Sequence, residues 1–330
     1  MQKKSKLIIV LMGLATLWSC DVTETDNTVS IEEAIMADIN ADENIFDLEG
    51  LDNIDEDEYF LERANSGDID GIGPMSVLMG DSNYVWRFSR REMHNDREFT
   101  IEVENDSSTT TLITDHITGQ FHVRQFDRIW TSDSTWERGD SVRFSQKPID
   151  QIINRRVIHR LITTPDGEER WRRVAKTIAY GSSGDALSIE ALEWIAGDSL
   201  RILTDFGDVY YGHDNQLTFP RGPGNSINVI VANELEGDSE SVTGRFGGRQ
   251  GGHGGHDHDF HRRTRFHYEG TRDNGDKEYT GLMPGNDSPQ RHFKGHIEVT
   301  DDRTLFDHDY EFYTSARVDF SYKLRHHPRP

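Results

Sequence analysis

Apolar and polar residues alternate along most of the chain beyond Val77. A period of two is typical of strands that bury one face. In the first half of the chain the clearest runs are 84–88, 99–103, 110–115, 119–126 and 141–145. Two longer runs, 155–164 and 170–180, flank the turn 165–168 and predict a long hairpin. The pattern therefore predicts a long, curved antiparallel sheet.

Helical spacing occurs before this sheet. Apolar residues recur at Ile31, Ala34, Ile35 and Ile39, and Ser30-Ile31-Glu32-Glu33 has the form of a capping box. We therefore expect a short amphipathic helix that begins after Ser30. A second short helix is predicted at 59–64, so residues 31–182 are predicted to form an α+β domain with a curved sheet.

The stretch Gly181-Ser182-Ser183-Gly184 has the composition of a linker. Short strand patterns separated by Gly and Pro follow it, at 187–192, 200–204, 209–211, 227–231, 242–246, 265–268, 293–299, 310–313 and 318–324. This spacing is typical of a β-sandwich. We therefore expect a second, all-β domain over 185–330 and a protein that is mainly antiparallel β overall.

Each half resembles a known fold. The run Glu169 to Ile178, with Trp171-Arg172 after the Asp166-Gly167 turn, resembles the last strand of the ketosteroid-isomerase-like (SnoaL-like, cystatin-like cone) superfamily. That resemblance implies a cone whose sheet wraps a pocket. Residues 185–330, with the turn 273–276 and aromatic-rich strands near the end, resemble an immunoglobulin-like domain of bacterial surface lipoproteins.

The first twenty residues resemble a bacterial lipoprotein signal. Lys3, Lys4 and Lys6 precede the uncharged run 7–17, and Ser19 precedes Cys20, the single cysteine of the chain. The apolar run is shorter than the ~20 residues that span a bilayer, so it reads as a signal peptide of residues 1–19. The resemblance implies acylation of Cys20, for example by palmitate, with 20–30 as a tether. The expected location is the cell envelope, at the outer membrane, the periplasmic face or the cell surface. The alternative is an ordinary cleaved signal that leaves Cys20 as a free thiol.

The chain is strongly acidic, with a formal net charge of −23. Residues 20–80 contain 18 acidic side chains and one basic one, Arg63, which gives them a net charge of −17. Phosphates repel such a chain, so nucleic acid is excluded as a partner. The membrane is expected to hold the protein through its N-terminal lipid, and an envelope protein or a glycan is the expected partner.

A glycine- and histidine-rich loop at 247–262 is the segment richest in potential metal ligands. Its potential ligands are His253, His256, His258, His261, Asp257 and Asp259. Imidazole and carboxylate groups suit Zn or Cu, so weak binding of these metals is one hypothesis. The alternative is a solvated loop, because ordering glycine-flanked ligands costs entropy.

The hairpin suggests a second candidate site. His159 shares a strand face with Leu161 and could point inward, near Trp171, into a pocket of the curved sheet. Asp115, His116 and His122 also lie on predicted strands, but a lone strand histidine is more often structural than catalytic. We therefore expect a non-catalytic envelope protein with a binding or structural role. The alternatives are a small-molecule enzyme or carrier that uses the pocket, and metal capture by the loop.

Overall fold

The structure, a computed structural model, describes residues 6–7, 30–41, 59–61, 84–132, 135–196, 199–212, 216–220, 225–235, 240–247, 263–282 and 292–325. Strands hold 74% of these residues and helices 7%. The predicted α+β cone is therefore wrong: the described part of the chain is nearly all β and forms two sheets. Cys20 lies outside the described residues, as do the predicted signal peptide apart from residues 6–7 and the histidine-rich loop apart from Gly247.

The larger sheet has thirteen strands within the described ranges. They are β1 (Lys6–Leu7), β2 (Tyr59–Leu61), β3 (Tyr84–Asn105), β4 (Ser108–Ser132), β5 (Thr135–Thr163), β6 (Glu169–Lys176), β7 (Ala179–Ser183), β10 (Tyr211–Gly212), β11 (Thr218–Pro220), β13 (Glu240–Gly247), β14 (Arg263–Arg265), β17 (His292–Asp301) and β18 (Ser315–Arg325). Its main path runs β1-β3-β4-β5-β7-β18-β17-β13-β14. The pairing is antiparallel except that β1 and β11 join parallel to β3 and β18.

The smaller sheet has five strands among the described residues, in the order β15-β16-β12-β8-β9. They are β8 (Leu187–Ala196), β9 (Ser199–Leu203), β12 (Ser226–Asn233), β15 (His267–Thr271) and β16 (Lys277–Leu282). It packs against the end of the larger sheet that contains β13, β17 and β18. An apolar core lies between them and includes Trp194, Val229, Tyr279, Ile297 and Val318. This sandwich-like packing agrees with the predicted β-sandwich at the level of layers.

The larger sheet curls strongly. Four strands separate β3 from β17 in its order, yet the side chain of Arg90 on β3 reaches Glu298 on β17. The curled inner face encloses a second apolar core, which includes Trp86, Phe88, Phe121 and Tyr313. Because the sheet closes on itself in this way, strands far apart in sequence supply one buried face.

Helix α1 (Ile31–Ala41) confirms the helix predicted after Ser30. The amide of Glu33 donates to Ser30 Oγ at 3.2 Å, and the amide of Ser30 donates to the Glu33 carboxylate at 3.2 Å, so the capping box forms as expected. Ile35 and Ile39 are buried against Phe99, Ile113 and Val157 of the sheet. The helix therefore covers one end of the inner face.

Helix α2 (Asp302–Phe306) and the segment after it fill the other end. Asp301 caps α2 by accepting from the Arg303 amide at 2.7 Å. The fully buried ammonium of Lys147 donates to the carbonyls of Arg303, Thr304 and Asp307, each at 2.7 Å. Burial lowers the pKa of Lys147 to about 8, against the opposing effect of Asp307 and Asp301. These contacts fix the segment that carries Tyr313.

No helix in the described part of the chain is both long and apolar enough to cross a membrane.

Three local predictions are wrong. The helix predicted at 59–64 is the short strand β2 over its described residues. The strand predicted at 310–313 is extended chain outside both sheets, where Tyr313 turns into the core instead of pairing. Residues 181–183, predicted as a linker, lie in β7, which pairs with β5 on one side and β18 on the other. The sheet therefore continues through the proposed boundary, while the division into two domains stays a prediction.

Candidate binding groove

His159 lies on the inner face of β5 and is fully buried. Its Nδ1 is 3.5 Å from Thr111 Oγ1, and its Nε2 is 3.6 Å from the Asp38 carboxylate of α1. Burial lowers the pKa of His159 to about 4; Asp38 opposes this effect and Arg173 adds to it. Trp171 is partly buried against the apolar cluster beneath α1. Helix α1 therefore packs over the position where the sequence places a pocket.

The other sequence candidates also have partners. Asp115 is fully buried and accepts hydrogen bonds from Arg97 Nε at 2.5 Å, Arg155 Nη2 at 3.1 Å and Asn95 Nδ2 at 3.0 Å. On the outer face, His116 Nε2 is 2.7 Å from the Asp150 carboxylate, and His122 Nε2 is 2.9 Å from Gln146. Two arginine donors and one amide donor occupy the buried Asp115 carboxylate, which suits a structural role.

A larger ionic cluster lies where β3 meets β17. Arg90, Glu298 and Tyr313 are all at least 96% buried. Arg90 donates to Glu298 and also to Tyr313 Oη, at 2.5 Å, and Tyr313 donates to Glu298 at 2.7 Å. Burial raises the pKa of Tyr313 to about 12 even though Arg90 opposes the shift. The cluster stabilises the curled sheet, because it joins β3 to β17 and to the segment that contains Tyr313.

Arg317 and Asp319 on β18 extend this cluster together with His296 on β17. Arg317 donates to both oxygens of Asp319, at 3.0 and 2.9 Å. Burial alone would raise the pKa of Asp319, but Arg317 and His296 outweigh it and lower that pKa to about 2. His296 Nδ1 lies 3.0 Å from the Asp319 carboxylate and 3.2 Å from Arg317 Nη2. The formal charges of the two arginines and the two carboxylates balance one another in a cluster that is buried from solvent.

The outer face of β5, β7 and β18 forms an open groove instead. Its volume is about 460 Å³, within the range of roughly 300–1,000 Å³ that is typical of small-ligand sites. The strand register builds its floor in two rows, Asn154–Tyr180–Val318 and Ile152–Ser182–Ala316. The members of these rows on β5 and β7 are at least partly exposed, whereas Val318 and Ala316 on β18 are buried.

The chain then turns from the larger sheet into the smaller one and builds the wall of the groove. Gly184 has φ +79°, a conformation that favours glycine, and the wall follows it. The wall residues are Asp185, Leu187, Ser188, Ile189 and Phe206. Gly181 lets β7 lie close to β5, because a Cβ there would sit 1.9 Å from the Ile152 carbonyl oxygen. The glycines that suggested a linker therefore shape the groove.

The groove combines apolar surface with polar groups that keep bonding capacity. Ile152 is 50% exposed and Tyr180 is 39% exposed. Asn154 accepts from Thr114 at 3.0 Å through its carbonyl oxygen, which leaves its amide nitrogen to donate. Within the described part of the chain, Ser182 and Asp185 have no side-chain partner. Sequence analysis missed these residues, since an exposed isoleucine or tyrosine on a strand is not unusual in itself.

The sequence-predicted sites fall in different places. His159 and Trp171 do not line this groove. Cys20 and the loop residues His253, His256, His258, His261, Asp257 and Asp259 lie outside the described residues. Among the residues that the structure does describe, no group of three or more His, Cys, Asp or Glu side chains could hold a metal ion. The Zn or Cu hypothesis for the loop therefore stays a prediction.

Neither a family model, nor a curated protein, nor a solved structure matches this chain.

Proposed function

We propose that this protein is a lipid-anchored envelope protein that binds a small ligand in the groove between β5, β7, β18 and β8, without catalysing a reaction. The observation that carries the binding role is the groove itself. It is concave, its floor combines exposed apolar side chains with polar ones, and Asn154, Ser182 and Asp185 keep free bonding capacity. This combination is typical of ligand sites.

The distribution of perturbed groups favours binding over catalysis. Catalytic acids and bases often have strongly shifted pKa values within a cleft. Here Lys147, His159, Tyr313 and Asp319 have such shifts, but none of them lines the groove. Each is engaged by a buried partner on the inner face. These shifts therefore reflect the packing of the curled sheet.

The anchor is proposed from the signal sequence. Lysines, a short apolar run and Ser19-Cys20 fit the lipoprotein signal. A single acyl chain binds membranes only marginally, so stable anchoring requires the multiple chains of a mature lipoprotein. The net charge of −23 gives no electrostatic attraction to anionic lipid that could replace them.

Fatty-acid labelling tests the anchor. With radiolabelled palmitate in a bacterial host, the wild type should incorporate label and fractionate with membranes, whereas Cys20→Ala should do neither and should accumulate as precursor. Ser19→Ala is the matched control, since it keeps a small residue before the cysteine and should label normally. Equal labelling of the wild type and Cys20→Ala would overturn the anchor. Substitution of Tyr180 tests the binding role.

A further inference from the structure

The chemistry of the groove lining narrows the class of ligand. Among its described residues, Arg317 is the one cationic side chain. Its guanidinium is engaged by Asp319 on the opposite face of β18. Asp150 and Asp185, by contrast, contribute carboxylates to the lining. A phosphorylated, sulfated or carboxylate ligand would meet negative charge there without a free cation, so anionic ligands are disfavoured.

The polar groups of the lining include both hydrogen-bond donors and hydrogen-bond acceptors. The Asn154 amide nitrogen donates, Asp185 accepts, and the Ser182 hydroxyl can do both. A simple organic cation would use the carboxylates and leave these donors unpaired, which costs free energy on binding. Ligands with several hydroxyl groups match the mixture, because each hydroxyl both donates and accepts.

Tyr180 and Ile152 supply the exposed apolar surface of the lining. Tyr180 lies at the centre of its row, between Asn154 and Val318, with Ile152 beside it on the next row. Gly207 packs on the Tyr180 ring, since a Cβ there would approach the ring to 2.8 Å. This contact fixes the ring while it stays partly exposed. An aromatic ring next to carboxylate and amide groups is suited to a sugar ring, which has an apolar face of C–H groups and an edge of hydroxyls.

We propose that the groove binds an uncharged saccharide, with its ring stacked on Tyr180 and its hydroxyls bonded to Asn154, Ser182 and Asp185. This inference rests on the proposed binding function and names its ligand class.

The test measures binding of the full chain, extracted in detergent, to an array of neutral and charged oligosaccharides, followed by calorimetry with the best neutral one. Tyr180→Ala should weaken binding about tenfold or more, since the loss of an aromatic contact and its buried area exceeds ~1.4 kcal/mol. Tyr180→Phe keeps the ring and should stay within about threefold. Asp185→Asn should weaken binding less than Tyr180→Ala, because an amide is a poorer acceptor than a carboxylate.

The matched control is Phe144→Ala. Phe144 is a 49%-exposed aromatic residue on the same strand, β5, outside the groove, so its loss should leave saccharide affinity unchanged. Two results overturn the proposal: no neutral saccharide binds, or binding is indifferent to Tyr180→Ala. A parallel thermal-shift screen of small amines and apolar fragments distinguishes failure of the saccharide proposal from failure of the binding function itself. Fragments that bind only with Tyr180 present, in the absence of saccharide binding, would refute the saccharide and retain the groove. If no ligand depends on Tyr180, the binding function fails as well.

Discussion

The two faces of strand β18 differ in the charge of their side chains. On the inner face, Arg317 and Asp319 are buried and bonded to each other and to His296. On the outer face, Ala316 and Val318 are uncharged, are buried against the smaller sheet and border an open groove. The inner face therefore holds buried ionisable groups, whereas the outer face borders a groove whose free bonding capacity comes from Asn154, Ser182 and Asp185.

This difference shows that clustered charges do not by themselves mark a functional site. Arginine, carboxylate, histidine and tyrosine side chains on the inner face bond to one another and are buried, so a ligand cannot reach them. In the groove, a few uncharged or unpaired groups surround space that solvent can enter. Substitutions on the inner face should therefore change stability, whereas substitutions in the groove should change binding.

Glu298→Gln should have the largest effect. The amide would leave the buried Arg90 cation without its carboxylate, and breaking a buried pair in this way costs about 3–5 kcal/mol. The free energy of unfolding, measured by urea denaturation, should fall by that amount. Asp208→Asn is the control, because its pair with Arg156 is exposed and should change stability by less than ~1 kcal/mol.

A double substitution makes the test more specific. Arg90→Met combined with Glu298→Leu replaces both charges with apolar groups of similar length, which is often nearly neutral. It should recover much of the stability that Glu298→Gln loses. If Glu298→Gln is as stable as the wild type, the closed cluster does not fasten β3 to β17, and the contrast between the two faces fails.

Gly181→Ala should have the next largest effect. A Cβ at this position would lie 1.9 Å from the Ile152 carbonyl oxygen and 2.7 Å from the Ile153 Cα. Backbone atoms of a central strand cannot move away cheaply, so we expect a loss of about 3 kcal/mol in the free energy of unfolding. Gly270→Ala is the control, since nothing lies within 4 Å of its Cβ position. Equal stability of the two variants would mean that β7 does not approach β5 closely enough to form the floor of the groove.

Local signals in the sequence predicted much of the secondary structure. Ser30 and Glu33 identified the start of α1, and the Asp166-Gly167 turn identified the hairpin of β5 and β6, because both signals act over a few residues. The period of two identified strands, but not their ends: the separate runs 110–115 and 119–126 are parts of one strand, β4.

Long-range pairing could not be predicted in this way. Arg90 and Glu298 are separated by 208 positions, and no periodicity relates them. Gly181 and Gly184 have the composition of a linker because glycine permits both flexible chain and close strand approach. The choice between these depends on β18, which pairs with β7 from more than a hundred residues away. The groove was missed for the same reason, since its floor exists only after β5, β7 and β18 are aligned.

His159→Phe should have the smallest effect of the three on stability at neutral pH, and it extends the comparison to acidic pH. The pKa of His159 is about 4 in the folded protein, against ~6.5 in an unfolded chain. Between these values the unfolded state binds the extra proton and the folded state does not, so stability is lost as the pH falls from 6.5 to 4 and levels off below that. We expect this loss to reach about 3 kcal/mol in the wild type at pH 4.

Phenylalanine at position 159 keeps the ring shape beneath α1 but cannot be protonated, so the variant should lack this part of the acid sensitivity. Urea denaturation of the wild type and the variant at several pH values between 7 and 4 measures the difference. His116→Gln is the control, because His116 lies on the outer face and is exposed, and its curve should follow that of the wild type. If the His159→Phe curve also follows the wild type, the acid sensitivity of the inner face does not come from the histidine beneath α1.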